Sequence, residues 1–471
     1  MGLTRRQFTA ALAAGAIGPA SVYRWLDEFV EKPVRRVAAG ELPREQHLLP
    51  HLQVIRDDGV EVIVPPLHHR VVTARVTSGT GRASLRDARA TFEHALAQLE
   101  SDYPFSPAGL AVTVAWGTPY FRRFVPSQAR REIPVDVRAS AARKRRVRVL
   151  EDARRFPSDP DRTILESNDV AVLLRSDDLD AIEDAQRRLF DELDGLLAIT
   201  SIRSGFIGGG FAGDASLPKR RAMQAGIPGA HMIPATAELF LGFTSTVKQA
   251  LGPTKIANLE TLGYARLRNR YFVGGTHMHL SHLFENVNAW YLNFDHAERV
   301  TAMFRPGLAA DRDAQTLKQD AADAETIADV RADYARHRRI GHAGAIQPAS
   351  RLQRDRRGRD GVVYRAGTAI PQRADFNTLD NPFTWSADPE RDRMADTPAA
   401  GTHFVVFNPT ADDFRRVRLA MDGILPNGVR LQLAPRSIGQ GINSVFHATH
   451  RQNFLVPPRA HRSFPLSEVR P

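Results

Sequence analysis

From about residue 60 onward the chain alternates apolar runs typical of strands with amphipathic stretches typical of helices, and this alternation constrains its fold more than any other feature. Residues 60–64 and 69–76 alternate apolar with polar positions, as half-buried strands do. Residues 110–116 and 170–174 are apolar runs that predict buried strands. Strands of this kind interleaved with helices predict an α+β fold, with helices packed on one face of antiparallel sheets.

The two halves of the chain repeat the same order of elements. The helices predicted in the first half cover residues 84–99 and 177–197. The elements predicted in the second half are a strand region from 271, a helical stretch at 284–290, a strand at 402–407, a helix at 412–421 and a last short strand at 454–456. Each half has the order of a ferredoxin-like unit. We therefore predict a signal and linker over 1–40, an N-terminal half over 41–235 and a C-terminal half over 236–471.

Two polar intervals separate these elements. Residues 122–164 are rich in Arg and Pro and are interpreted as a connection. Residues 308–400 are too many for a featureless loop in a compact domain, and a segment of this length in the second half is where function is expected.

Composition excludes several kinds of site. The 471 residues contain no cysteine, which rules out disulfides, thiolate nucleophiles, Fe–S clusters, Cys-ligated zinc and haem attached through a Cys-x-x-Cys-His motif. The 64 Lys and Arg residues against 53 Asp and Glu residues give a net charge of +11. The densest basic run, 143–148, is interpreted as a solvated connection, so we predict no nucleic-acid partner.

The first residues have the pattern of an export signal. Arg5 and Arg6 precede Phe8 and a weakly apolar Ala/Gly segment, which resembles a twin-arginine (Tat) signal. The segment is shorter than the ~20 residues that span a bilayer as a helix. The resemblance predicts the Tat translocase as a partner and a periplasmic, secreted or envelope-associated protein. Retention as a membrane tether and a plain amphipathic helix remain alternatives.

Several motifs occur in an order that resembles the dye-decolourising peroxidase (DyP) family over residues 100–460. The matching segments are Tyr103–Leu110, Asn168–Asp178, the glycine-rich Gly210–Pro218, Glu238–Phe243, Gly401–Phe407 with Phe414, and Phe454–Pro458. The resemblance implies two ferredoxin-like halves in a dimeric α+β barrel-like arrangement, with haem b (heme b, iron protoporphyrin IX) as cofactor. It also implies hydrogen peroxide and an organic donor as substrates, and it leaves a homo-oligomer open.

His342, in the segment Gly341–Pro348, stands where the family has the histidine that binds haem iron. A neutral imidazole suits iron, and its second nitrogen calls for a carboxylate or carbonyl partner. The plain alternative is a surface histidine near His337 in an Arg- and His-rich loop.

Arg365, in the segment Val362–Gly367, occupies the place of the family's distal arginine. A fixed guanidinium there would stabilise the negative charge that develops when a peroxide O–O bond breaks. The plain alternative is an arginine at a strand end, held in an ion pair.

The acid–base position departs from the family's pattern. The motif places an Asp where this chain has Gly213, and Asp214 follows one residue later. We predict Asp214 as the residue that moves the peroxide proton, with an aspartate of a glycine-rich turn as the alternative. The departure also motivates a second hypothesis: a diverged member that binds haem without efficient turnover, or no cofactor at all.

A histidine cluster offers a non-haem alternative. His277 and His279 share one face if this segment is a strand, and His282 is close by. With Glu285 or Asp295 as a carboxylate ligand, these imidazoles could hold a metal ion.

Overall fold

A computed structural model of the chain describes residues 42–57, 60–208, 216–243, 253–308, 325–381, 398–433 and 440–470. The strands are β1 (Gln53–Asp57), β2 (Val60–Val64), β3 (His68–Val76), β4 (Ala111–Gly117), β5 (Val135–Asp136), β6 (Ile164–Leu165), β7 (Val170–Ser176), β8 (Leu197–Phe206), β9 (Ala265–Arg266), β10 (Thr276–Glu285), β11 (Arg356–Arg357), β12 (Val363–Tyr364), β13 (Gln372–Arg373), β14 (Phe376–Thr378), β15 (Gly401–Asn408) and β16 (Phe446–Val456). The α-helices are α1 (Arg82–Asp102), α2 (Thr118–Arg123), α3 (Pro126–Glu132), α4 (Val137–Arg143), α5 (Leu179–Glu192), α6 (Leu217–Gln224), α7 (Val287–Leu292), α8 (His296–Met303), α9 (Ile327–His337), α10 (His342–Ser350) and α11 (Ala411–Met421).

The apolar strands and the amphipathic helices agree with the sequence. The confirmed strands are β2, β3, β4, β7 and β15, and the confirmed helices are α1, α5 and α11. The alternation of apolar positions that predicted them places one face of each helix against the sheet. In α5, for example, Ile182, Ala185 and Leu189 are all buried.

Three expectations are wrong in detail. The segment 122–164 contains helices α3 and α4, so it is more than a polar connection. Strand β10 extends to Glu285, and the helix predicted from Phe284 begins only at Val287. The last strand, expected at 454–456, is β16 and starts eight residues earlier at Phe446. Strand β16 was missed because its polar side chains are buried in hydrogen bonds, a condition that apolar periodicity does not detect.

Strands from both halves pair into one closed antiparallel barrel. The ring runs β10–β15–β14–β8–β3–β7–β4–β16 and closes because β10 also pairs with β16. Inside it, Val71, Leu173, Met278, Val405 and Phe454 belong to one apolar cluster. The fold is thus the α+β barrel of two ferredoxin-like halves that the sequence predicts.

The two halves cover the outside of this barrel differently. Helices α1 and α5 pack directly against the outer face of the N-terminal strands, where Phe92, Trp116 and Ile182 join one core cluster. In the C-terminal half, helices α10 and α11 face β10, β15 and β16, and a cavity lies between them. The closest packing is therefore in the N-terminal half, and the C-terminal half holds the candidate site.

The junction of β8 and β14 joins the halves through a single residue pair, Asn377 opposite Phe206. The side-chain amide of Asn377 strengthens it, because its Nδ2 donates to the carbonyls of Phe206 and Glu238, both at 3.1 Å. Its Oδ1 accepts from the backbone N–H of Phe240 at 3.0 Å. A Cβ at Gly205 would overlap the carbonyl oxygen of Asn377 and the ring of Phe376.

Substitution Gly205→Ala is therefore expected to lower the free energy of unfolding by about 1–3 kcal/mol, because the strands must separate to admit the methyl group. Chemical denaturation measures this change. Gly81→Ala is the control, since a Cβ there meets no atom within 4 Å, and we expect it to change stability by less than about 1 kcal/mol. Equal stability of the two variants would contradict this account of the junction.

In the described part of the chain, no helix is both long enough and apolar enough to span a bilayer.

Candidate functional site

The cavity of the C-terminal half has a volume of ≈ 310 Å³, within the range of sites that bind small molecules. Helices α10 and α11 form its helical wall, which carries His342, Phe414 and Arg418. Strands β10, β13, β15 and β16 form its strand wall, which carries Ser281, Glu285, Arg373, Thr402 and Arg451. Most of the remaining lining is apolar, so the polar groups stand out against it.

His342 is the first residue of α10, and Gly341 before it allows the helix to start there. A Cβ at Gly341 would overlap the carbonyl of Phe304, and that carbonyl accepts a hydrogen bond from the N–H of Gly344 at 2.8 Å. The close approach thus fixes the beginning of the helix and places His342 on the cavity. This explains why glycine precedes the histidine in the sequence.

The imidazole of His342 is neutral. Burial, and then the positive charges of Arg373 and Arg418, lower its pKa to about 3. Its Nδ1 is enclosed and has no hydrogen-bond partner among the described residues. The carboxylate or carbonyl partner that the sequence led us to expect is thus not found there. Neutral imidazole is the form that coordinates metals, so this environment keeps His342 competent to do so.

Arg373 and Asp375 form a fixed pair on the strand wall. Nε and Nη2 of Arg373 donate to the two carboxylate oxygens of Asp375 at 2.9 and 2.7 Å. Both residues line the cavity; about half of the Arg373 side chain is exposed, and Asp375 is buried. The backbone is fixed by the pairing of Arg373 with Val406 of β15. A two-point contact of this kind holds the planar guanidinium in one orientation.

A second ionic cluster lies where β16 meets α11. Arg451 and Arg418 both donate to Asp159, with Nη2 of each at 2.6 and 3.2 Å from Oδ1. Burial alone would raise the pKa of Asp159. The charges of these two guanidinium groups outweigh burial, and the pKa is lowered. Arg418 also pairs with Asp422 at 2.8 Å. This cluster is internally matched and forms a rigid, charged part of the wall.

Glu285, the last residue of β10, is a carboxyl group in the same lining and is only 3% exposed. One of its oxygens accepts a hydrogen bond from Oγ1 of Thr402 on β15. Burial raises the pKa of Glu285 to about 8, with the charge of Asp375 adding to the rise and the bond from Thr402 opposing it. Glu285 therefore carries its proton at neutral pH.

Of the two predicted site residues that lie in the described part of the chain, His342 lines the cavity and Arg365 does not. Arg365 follows the short strand β12, is 72% exposed, and pairs with Asp355 at 2.5 Å, away from the cavity lining. It is the ion-paired arginine at a strand end that the sequence left as the alternative, because the β11–β12 hairpin carries it outward. Asp214 lies outside the described residues.

The segment is strand β10, so His277 and His279 share one face as expected, and the pleat places His282 on the other face. His279 hydrogen-bonds Asn453 and Ser281 at 2.7 and 2.5 Å and stacks on Phe414, so both of its ring nitrogens are engaged. His282 bonds Thr449 at 2.6 Å. Within the described ranges there is no group of three or more His, Asp or Glu side chains that could hold a metal ion. The non-haem alternative therefore has no support in this part of the chain.

Arg373, Asp375 and Thr402 were missed in the sequence, and Glu285 was considered only as a metal ligand. A signal for the pair was present: Arg373 and Asp375 are two positions apart next to an apolar strand, and that spacing puts both side chains on one face. The two-residue strand β13 is too short for periodicity to reveal it.

A protein-family model described as a family of unknown function (DUF7405) matches residues 66–458. No curated protein matches the chain. Among solved structures, the chain is similar to a DyP-type peroxidase from Cellulomonas bogoriensis, at 16% identity and a TM-score of 0.50, over 88% of this chain and 96% of the other.

Two further similar structures have lower scores. The encapsulated DyP-type peroxidase from Mycobacterium smegmatis is 12% identical over 87% of this chain and 96% of its own, with a TM-score of 0.49. A DypB variant from Rhodococcus jostii RHA1 in complex with heme is 12% identical over 85% of this chain and 96% of its own, with a TM-score of 0.45. At such identities the Cellulomonas bogoriensis structure shows a shared fold and nothing about activity.

Proposed function

The chain belongs to a family of unknown function, DUF7405, and we propose that it is a haem protein of the dye-decolourising peroxidase type that reduces hydrogen peroxide and oxidises an organic donor. The observation that carries this proposal is the cavity of ≈ 310 Å³ in which one neutral imidazole faces a strand wall with a fixed guanidinium.

The residues of the cavity fit haem better than they fit a bare metal ion. A bare ion takes three or more protein ligands, whereas haem iron already has four ring nitrogens and needs an axial ligand such as histidine. His342 supplies one imidazole in a largely apolar lining, which suits a flat apolar ring.

Each polar residue then has a role that follows from its surroundings. His342 would hold the iron, and bound haem would supply the metal that reacts with peroxide. Arg373 would stabilise the negative charge that develops on a peroxide oxygen as the O–O bond breaks. Asp375 would orient that guanidinium through its two hydrogen bonds. We assign this role to Arg373 in place of Arg365, because Arg373 is the one that lines the cavity.

Absorption spectroscopy of the purified full chain during titration with haem tests the proposal. We expect a strong Soret band at one haem per chain and its loss or shift in His342→Ala. The control is His94→Ala, because His94 is exposed on α1 and hydrogen-bonds Gln98 one turn along the same helix. A chain that takes up no haem, or a His342→Ala spectrum equal to that of the wild type, would refute the proposal.

The second candidate, a haem-binding member without efficient turnover, is motivated by Gly213 at the position of the family's acid. Full haem occupancy with negligible peroxide-dependent oxidation would favour it. We further propose export by the Tat route, supported by the sequence around Arg5, Arg6 and Phe8.

A further inference from the structure

The cavity contains an acidic group that neither the iron ligand nor the guanidinium pair explains. The Oε2 oxygen of Glu285 is buried and has no hydrogen-bond partner among the described residues, while its other oxygen is bonded by Thr402. No ion pair of Glu285 occurs in the described part of the chain, whereas Asp375 is matched by Arg373. Burying a carboxyl group with one oxygen unpaired costs free energy of folding. Such a group is therefore expected to bind a ligand or to transfer a proton.

The groups around Glu285 keep its proton on at neutral pH. Asp375, after β13, contributes a negative charge; Tyr291 on α7 also interacts with Glu285, but burial raises the pKa of Tyr291 and keeps it neutral. Thr402 on β15 donates a hydrogen bond, which is too weak to compensate for burial, so the pKa of Glu285 rises to about 8. A carboxyl group with a pKa near the working pH can both give and take a proton, which is the requirement for general acid–base catalysis.

We propose, on the basis of the proposed function, that Glu285 gives and takes the peroxide proton in this cavity. This is the role that the family resemblance gives to Asp214. When the peroxide O–O bond breaks, haem, if bound, would supply the two electrons, and one oxygen would be left as hydroxide. Glu285 gives its proton to that hydroxide, which leaves as water. The proton released by the other peroxide oxygen returns to the carboxylate, so Glu285 ends each cycle as it began.

Peroxide-dependent oxidation of a dye by the haem-loaded full chain tests this step with three variants. Glu285→Gln is expected to lower kcat by about 10²-fold or more, because removing a general acid–base group costs 10²–10⁴-fold. Haem absorbance should be unchanged, since Glu285 belongs to the strand wall and not to the helix that carries His342. Glu285→Asp should restore part of the turnover, and Asp214→Asn should leave most of it.

Infrared difference spectra against pH provide a readout that needs neither haem nor activity. The wild type should show the C=O stretch of a protonated carboxyl group at pH 7, and this band should disappear as the pH passes about 8. The same band should be missing in Glu285→Gln.

The outcomes separate the two proposals. If the wild type takes up no haem, both fail. If haem binds and turns over while Glu285→Gln remains fully active, or if the infrared band is missing from the wild type, the assignment of Glu285 is wrong and the peroxidase proposal stands. Loss of turnover in Asp214→Asn with full activity in Glu285→Gln would give the role back to Asp214.

Discussion

Replacing Arg373 with alanine is expected to lower peroxide-dependent kcat by about 10²–10³-fold, the usual cost of losing one fixed donor aimed at a developing negative charge. Arg373 lines the cavity, and after burial its positive charge is the largest cause of the lowered pKa of His342. Asp375 holds the guanidinium by two hydrogen bonds, so little reorganisation is needed as charge develops. Steady-state kinetics on protein matched for haem content measure the loss.

Arg365→Ala is the matched control, because it removes the same side chain from a neighbouring strand end. Arg365 is 72% exposed and paired with Asp355, so we expect kcat to change by less than about twofold. Arg373→Lys keeps the charge but loses the two-point contact with Asp375, and it should fall between the wild type and Arg373→Ala. If Arg365→Ala is the inactive variant and Arg373→Ala is active, the assignment drawn from the order of sequence motifs is right and the one drawn from the cavity is wrong.

The parts of the fold that could be predicted are those in which an apolar residue faces a core and a polar one faces water. Strand β7 is fully buried and apolar at 170–174, and helix α5 shows a clear apolar stripe, so both follow from periodicity. Closure of the barrel was implied by the family resemblance alone and does not follow from periodicity. It depends on β10 pairing with both β15 and β16 and on a junction at Asn377 that consists largely of side-chain hydrogen bonds.

Strand β16 shows why polar barrel strands are missed. His450, Arg451, Gln452 and Asn453 are all buried in its middle, and their partners lie far away in sequence. Arg451, for example, bonds Asp159. A run of such residues has the composition of a loop, and only the tertiary structure supplies the hydrogen bonds that make it a strand.

The candidate site divides in the same way. His342 was chosen because Gly341 and His342 stand at a recognisable place in the motif order; it lines the cavity, and its role as an iron ligand stays a prediction. Arg365 was chosen from its place in the order of motifs along the chain. That order does not show that the hairpin β11–β12 carries Arg365 away from the cavity. Arg373, which does line the cavity, follows that hairpin, where β13 pairs with β15. Which arginine reaches the cavity is decided by strand pairing, which a single sequence does not contain.

Acid is expected to destabilise this protein through imidazoles buried in the barrel, and His69 gives the clearest case. It is 2% exposed, stacks on Phe376 and bonds the carbonyl of Pro66 at 2.9 Å. Burial, and then the charge of Arg175, lower its pKa to about 3 in spite of that bond. The folded protein therefore keeps His69 neutral at a pH at which the unfolded chain has already protonated it.

The sign follows from the proton count. Between pH 6.5 and about 3 the unfolded state binds one more proton at His69 than the folded state does, so the contribution to stability is full above pH 6.5 and is lost as the pH falls. The loss is about 1.4 kcal/mol per pH unit for one group. His47 is buried in the same way, with a pKa lowered to about 3 by burial and by Arg175, and it adds a similar amount.

Urea denaturation at a series of pH values, compared between the wild type and His69→Gln, isolates this contribution. From pH 6.5 downward the wild type should lose about 1.4 kcal/mol per pH unit relative to the variant, because glutamine does not titrate. A group with a raised pKa, such as Glu285, contributes more to stability as the pH falls, which is the opposite trend. Both proteins contain these groups, so their contributions cancel in the difference. Parallel curves for the wild type and His69→Gln would mean that the barrel admits enough water to charge the imidazole.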